Sequence, residues 1–151
     1  MSTSSTQSTE GTFTAAERAA MKERAAELKA QSVRGGKATK AAQLEAAVVA
    51  AIAAMPDGDR AIAERVHAIV QEVAPHLTPR TWYGMPAYAR DGKVVCFLKP
   101  ADKFGSRYAT LGFEDPAALD DGAMWPTSYA LTWMTEEVAA TIAGLVRRAA
   151  G

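Results

Sequence analysis

The aromatic residues of this chain are confined to one stretch, and that confinement limits what the chain can fold into. Ten of the eleven aromatic side chains lie between Trp82 and Trp133, the exception being Phe13. Alanine dominates the part before Pro79. Alanine-rich text favours helices, whereas aromatic and β-branched residues divided by turn signals favour strands. Strands that are grouped, and do not alternate with helices, predict an α+β fold. The expected order is N-terminal helices, an antiparallel sheet of about four to five strands, and a C-terminal helix packed on the sheet.

Met1 to Glu10 is polar and low in complexity, with no apolar run of the kind a secretory signal needs. Residues 1–13 therefore read as a disordered tail. Thr14-Ala15-Ala16-Glu17 has the spacing of a capping box, and strong helix formers continue to Gln31. Apart from alanines, this helix offers only Met21 and Leu28 as apolar residues, so it packs shallowly or extends from the body. Ser32 to Lys37, with Gly35-Gly36, reads as a flexible break. Residues 14–37 are thus a helical extension, and 38–151 the α+β domain. Within that domain, a helix from Thr39 to Met55 carries Leu44, Val48, Ile52 and Met55 as one stripe. Pro56-Asp57-Gly58-Asp59 separates it from a second stripe of Ile62, Val66, Ile69, Val70 and Val73, stopped by Pro75.

In the aromatic half, Asp91-Gly92 between extended runs predicts a type I′ hairpin, because both central residues need positive φ. Val94 to Leu98 predicts a central strand buried on both faces, with Arg107 to Phe113 beside it. Asp115 to Leu119 is expected to be a short helix, with Asp115 as cap and Pro116 at the first position. Ser128 to Trp133 is a final strand. Thr135 caps a last helix that turns Val138, Ile142, Leu145 and Val146 inward.

At 151 residues the chain fits one domain. Seventeen basic and seventeen acidic side chains leave a formal net charge of zero, which argues against a nucleic-acid partner. No apolar run approaches the roughly 20 residues that span a bilayer, so a membrane role is not expected and a cytoplasmic location is. The lone cysteine, Cys96, sits in an apolar strand, the opposite of the electropositive setting that activates a thiol. The chain carries no Gly-x-Ser-x-Gly elbow, phosphate loop or dinucleotide fingerprint. His67 and His76, with a helix end between them, match no zinc spacing and read as structural or exposed. A binding module is therefore expected ahead of an enzyme.

Trp82-Tyr83-Gly84-Met85-Pro86-Ala87-Tyr88 is the most distinctive string. With the Arg90-Asp91-Gly92-Lys93 hairpin and the Val-Val-Cys-Phe strand after it, it resembles the bacterial YdhG-like family, a family of domains of unknown function. The resemblance covers roughly residues 45 to 149 and implies a small α+β domain. Some members carry a frataxin-like label as intracellular iron chaperones, so the resemblance implies an iron-binding or iron-delivery role.

Two sets of residues are candidates for a site. Trp82, Tyr83, Met85 and Tyr88, with Lys99 and Arg107 from a neighbouring loop, can line a pocket for a small molecule or anion. The structural alternative is that the aromatics simply start the sheet and that the cations are solvated. Glu114, Asp115, Asp120 and Asp121 form an acidic segment whose oxygens suit a hard cation such as iron, and a short helix would bring the two pairs within one turn. The alternative there is a helix cap followed by a turn. A third reading makes the polar helix 14–31 a docking element for a protein partner, and an uncovered sheet face would call for a homodimer.

Overall fold

The computed structural model describes residues 13–31 and 36–151. The break predicted over Ser32 to Lys37 lies largely outside those residues, as does most of the tail predicted over 1–13. In chain order the elements are α1 (Ala15–Gln31), α2 (Lys37–Ala53), α3 (Asp57–Val73), β1 (Thr78–Trp82), β2 (Met85–Arg90), β3 (Lys93–Lys99), β4 (Ala109–Phe113), β5 (Ser128–Leu131) and α4 (Glu136–Ala150). The strands pair in sequence order, β1-β2-β3-β4-β5, each antiparallel to the next. This is the α+β arrangement expected from the grouped aromatics.

Two tight turns organise the sheet. Asp91 and Gly92 adopt φ of 52° and 78°, the hairpin that their sequence predicts. Tyr83 and Gly84 do the same at 53° and 77°, making a second hairpin between β1 and β2. That hairpin escapes a sequence reading because Tyr seldom takes positive φ and because Pro79 sits inside β1. The proline is tolerated because β1 is an edge strand.

Register places Tyr88, Cys96 and Phe113 side by side, and Leu98, Leu111 and Tyr129 beside them, on one face of the sheet. Against that face pack Val48 and Ile52 of α2, Met55 just after it, Ile62, Val66, Ile69 and Val70 of α3, and Ile142 and Val146 of α4, forming one core. The other face carries Ala87, Phe97, Gly112 and Ser128. Gly112 is required there, since a Cβ would strike the Phe97 ring. Phe97 is half-buried, so β3 is central but not closed on both faces as its sequence suggests.

The expected helix over Asp115–Leu119 does not form. Ala117 and Leu119, two residues apart, are both buried, a spacing that suits extended chain. The Ala118 N–H donates to the carbonyl of Ala149 at the end of α4, at 3.0 Å, drawing the segment onto that helix. Arg90 ties the same corner together by donating to the carbonyls of Ala150 and Pro116. Thr135 caps α4 as predicted, its hydroxyl accepting the Val138 N–H at 3.1 Å. Asp57 and Asp59 lie in the first turn of α3, after Pro56. Both Asp59 oxygens accept backbone N–H groups of the β3–β4 loop, from Ala101 at 3.1 Å and Asp102 at 2.9 Å.

Candidate ligand groove

Helix α2 has two working stripes. Val48, Ile52 and Met55 point into the core, while Ala47, Ala50, Ala51 and Ala54 follow i, i+3, i+4, i+7 on the neighbouring stripe. Because those side chains end at a methyl, the surface beside them stays hollow. A cavity of about 790 Å³ lies there, bounded by Glu23, Ala26 and Glu27 of α1, Thr81 and Gly84 of the first hairpin, and Pro100, Asp102 and Lys103 of the β3–β4 loop. A second hollow of about 250 Å³ shares Ala26, Glu27, Ala47 and Thr81 with it and adds Lys40, Gln43 and Leu44. A third, of about 400 Å³, shares Lys40 and Leu44 with the second and reaches Thr78, Arg80, Ala89 and Gly92. Together they make one groove along α2. From Lys40 to Met55 it runs roughly 20 Å, at about 1.5 Å of helix per residue.

One wall of the groove is α1, and polar contacts hold it there. Ala20 is its only buried apolar residue among those described, and Met21 and Leu28 are exposed. The Glu27 carboxylate accepts the backbone N–H groups of Tyr83 at 3.1 Å and Gly84 at 2.9 Å. Positive φ at both turn residues aims those two donors at a single anion. Arg24 pairs with Glu27 at 3.6 Å and lies over the Tyr83 ring, 5.7 Å from its centroid. Lys103 bonds Glu23 at 2.6 Å and reaches the Gly84 carbonyl at 3.4 Å. The φ of 77° favours glycine at position 84, and a Cβ there would also push aside the ends of the Glu23 and Lys103 side chains. The helix read as an extension is therefore seated on its own chain.

Of the four acidic residues that line the groove, Glu23, Glu27, Asp59 and Asp102, the first three have partners for their carboxylates. Glu27 and Asp59 each accept two backbone N–H groups, and Glu23 has Lys103. At the Lys40 end the residue of interest is Arg80. Arg80 is 7% exposed, and its Nη1 donates to the Gly92 carbonyl at 3.3 Å. Its Nε is buried with no hydrogen-bond partner among the described residues. Burial pulls the Arg80 guanidinium below its ordinary value, Arg24 adds repulsion, and Glu27 opposes both.

The structure separates the residues that sequence alone groups as a pocket. Trp82 and Tyr83 meet edge to face at 5.2 Å, and Trp82 also touches Phe97 at 5.3 Å. Met85 is buried, and Tyr88 is wholly enclosed in the core with no accessible surface. Lys99 lies over the Phe104 ring and Arg107 over the Tyr108 ring, so neither is paired with the Tyr83–Gly84 turn. The cations that reach it are Lys103, at the Gly84 carbonyl, and Arg24, over the Tyr83 ring. Of the acidic segment, Glu114, Asp115 and Asp120 border one hollow of about 370 Å³ with Trp125, and Asp121 does not line it. Among the described residues no group of three or more His, Cys, Asp or Glu side chains is placed to hold a metal ion.

Sequence reasoning missed Glu27, Arg80 and Lys103. Glu27 and Lys103 look like solvated charges in their own segments, and only the turn between them in space gives them work. Arg80 is hidden for another reason, since β1, with Pro79 inside it, does not read as a strand and so gives no cause to expect a buried cation.

His67, Tyr88 and His76 find partners within the fold. Nδ1 of His67 and the Tyr88 hydroxyl lie 2.8 Å apart, and Nε2 of His67 is 3.9 Å from Glu45. A proton on Nε2 facing Glu45 leaves Nδ1 to accept the Tyr88 O–H. Burial holds His67 below its ordinary value against the pull of Glu45, and pushes the Tyr88 phenol far up. His76 sits within 3.2 Å of the Ala150 carbonyl at the end of α4.

No protein-family model, curated protein or solved structure matches this chain. The likeness to the YdhG-like domains therefore rests on the sequence of Trp82–Tyr88, the Arg90–Lys93 hairpin and the strand after it alone. Among the described residues, no helix is long and apolar enough to cross a membrane.

Proposed function

We propose that this chain is a binding protein whose ligand is an elongated, mainly apolar small molecule lying in the groove between α1, α2 and β1. The observation that carries this reading is the alanine stripe of α2 bordering a cavity of about 790 Å³. Sites of some 300–1,000 Å³ with apolar walls and a few placed polar groups are the usual form of a small-molecule site. The three hollows follow one another along α2, and five alanines with Met55 supply most of the apolar wall of the first. That shape suits a chain better than a compact ring. Each methylene moved from water onto such a surface contributes about 0.8 kcal/mol, so a chain of moderate length accumulates useful affinity.

The test is calorimetric titration with dodecanol, whose chain is shorter than the groove. Saturable binding is expected. An Ala50→Trp substitution, filling the groove from an exposed position on α2, should abolish that binding while leaving the melting temperature unchanged. Absence of binding to the parent protein, or equal binding to the variant, would remove the proposal.

An iron-binding role keeps its argument from the acidic segment and the resemblance. No contact of Glu114, Asp115, Asp120 or Asp121 adds to it. Anaerobic titration with ferrous iron, compared with an Asp120→Ala/Asp121→Ala variant, is the experiment that speaks to it.

A further inference from the structure

The groove is electrically asymmetric, and the asymmetry says how a ligand would lie. At the Met55 end the carboxylates of Glu23, Glu27 and Asp59 are already satisfied by Lys103 and by backbone N–H groups. At the other end, the hollow beside Thr78 contains Arg80 and Lys40 and is bordered by no acidic side chain among the described residues. Arg80 is more than nine-tenths buried there with its Nε lacking a partner. A buried guanidinium donor left unmet costs free energy, and an anion removes that cost with a charge-assisted bond. The helix adds to the same field. This is the N-terminal end of α2, a helix of 17 residues with no side-chain cap at Gly36 and no acid in its first turn. Uncompensated helix N-termini attract negative charge.

We infer that the hollow formed by Lys40, Leu44, Thr78, Arg80 and Gly92 is an oxyanion site, and that it takes the acidic head group of a ligand whose chain runs along α2. The inference rests on the groove reading for the chain and on Arg80 for the head. A carboxylate and a phosphate share the chemistry required: an oxygen anion that pairs with the Arg80 guanidinium while the Gly92 carbonyl keeps Nη1. The Thr78 hydroxyl is a further donor at the rim. Glu27, the carboxylate that borders the adjoining hollow, is already engaged by the Tyr83 and Gly84 N–H groups.

The experiment compares ligands of equal chain length and different head by calorimetry on the full chain: dodecanoate, dodecyl phosphate, dodecanol and dodecylamine. The two acids should bind at least about tenfold more tightly than the alcohol, the gain one charge-assisted bond can supply, and the amine more weakly than the alcohol. Whichever acid is preferred identifies the head. Arg80→Gln should bring the acids to the level of the alcohol and leave the alcohol unchanged. Because that substitution alters a buried side chain, its melting transition is recorded beside it. The head-group comparison in the parent protein stands without the variant. Acids and alcohol binding equally would overturn the oxyanion site while leaving the groove. Failure of every chain, with inorganic phosphate alone still shifting the Arg80 Nε–H resonance, would overturn the groove and leave the oxyanion site. Failure of both overturns both.

Discussion

Glu27 of α1 accepts the backbone N–H of Gly84 at 2.9 Å, and that bond joins the most polar helix of the chain to its most distinctive turn. The same carboxylate takes the Tyr83 N–H, so one side chain satisfies both donors of a left-handed turn. The wall of the groove depends on it.

Replacing Glu27 by Gln leaves one acceptor for two donors and removes the charge. Hydrogen bonds to charged groups are worth about 1.5–3 kcal/mol, and α1 has little apolar burial to compensate. Amide exchange in α1 should accelerate by one to two orders of magnitude, about what that range implies, while exchange in β3 stays unchanged. Uniform acceleration across the molecule would show that α1 is not held locally by this contact.

Gly84→Ala introduces a Cβ where the Glu23 carboxylate and the Lys103 ammonium sit, at a φ of 77°. Holding a side chain in that region costs on the order of 1–3 kcal/mol, before any cost of displacing the ion pair. Denaturant titration should show a loss of at least that order. Gly58→Ala, at a helical position with open space around its Cβ, should cost nothing and serves as the control.

His67 gives the fold a pH dependence with a definite sign. Its folded pKa lies below the ordinary value of 6.5, so the unfolded chain binds the proton more readily. Stability is then constant above about pH 6.5 and declines as the pH falls below it. A His67→Gln variant should lose that slope between 6.5 and the onset of carboxylate titration. Stability rising as the pH falls through this window would contradict the buried, neutral imidazole.

Tyr88→Phe keeps the ring in the core and deletes the hydroxyl 2.8 Å from His67 Nδ1. An unmet buried acceptor costs about 1–3 kcal/mol, and that is the expected loss in unfolding free energy. The same deletion should change the tautomer-sensitive nitrogen shifts of His67, a readout that simple loss of packing would leave alone.

Burial pushes the Cys96 thiol up to about 12, with no accessible surface. Ellman's reagent should therefore react only at the rate of global unfolding, and rapid modification of the native protein would mean that β3 opens locally.

How far the residues announce this structure differs from element to element. Asp91-Gly92 and Thr135 were legible because each acts within a few residues: positive φ at a hairpin, a hydroxyl at a helix start. The Asp115–Leu119 helix was misread because its cap signal is local, whereas Ala118 bonds to Ala149 and Leu119 is drawn into the core. Tyr88 looked like a pocket residue until register placed it beside Cys96 on the buried face. The groove was not legible. It needs the alanine stripe of α2, which reads only as good helix text, to be placed opposite Glu27 and Arg80 by tertiary structure.

The most direct test of the groove is to follow the backbone and Arg80 Nε resonances of the full chain during titration with dodecanoate. Saturable shifts should concentrate at Ala47, Ala50, Ala51, Ala54 and Arg80, with the core strand β3 unmoved. Shifts confined to the sheet face around Phe97 and Ser128, or no saturable shift at all, would contradict a ligand lying along α2.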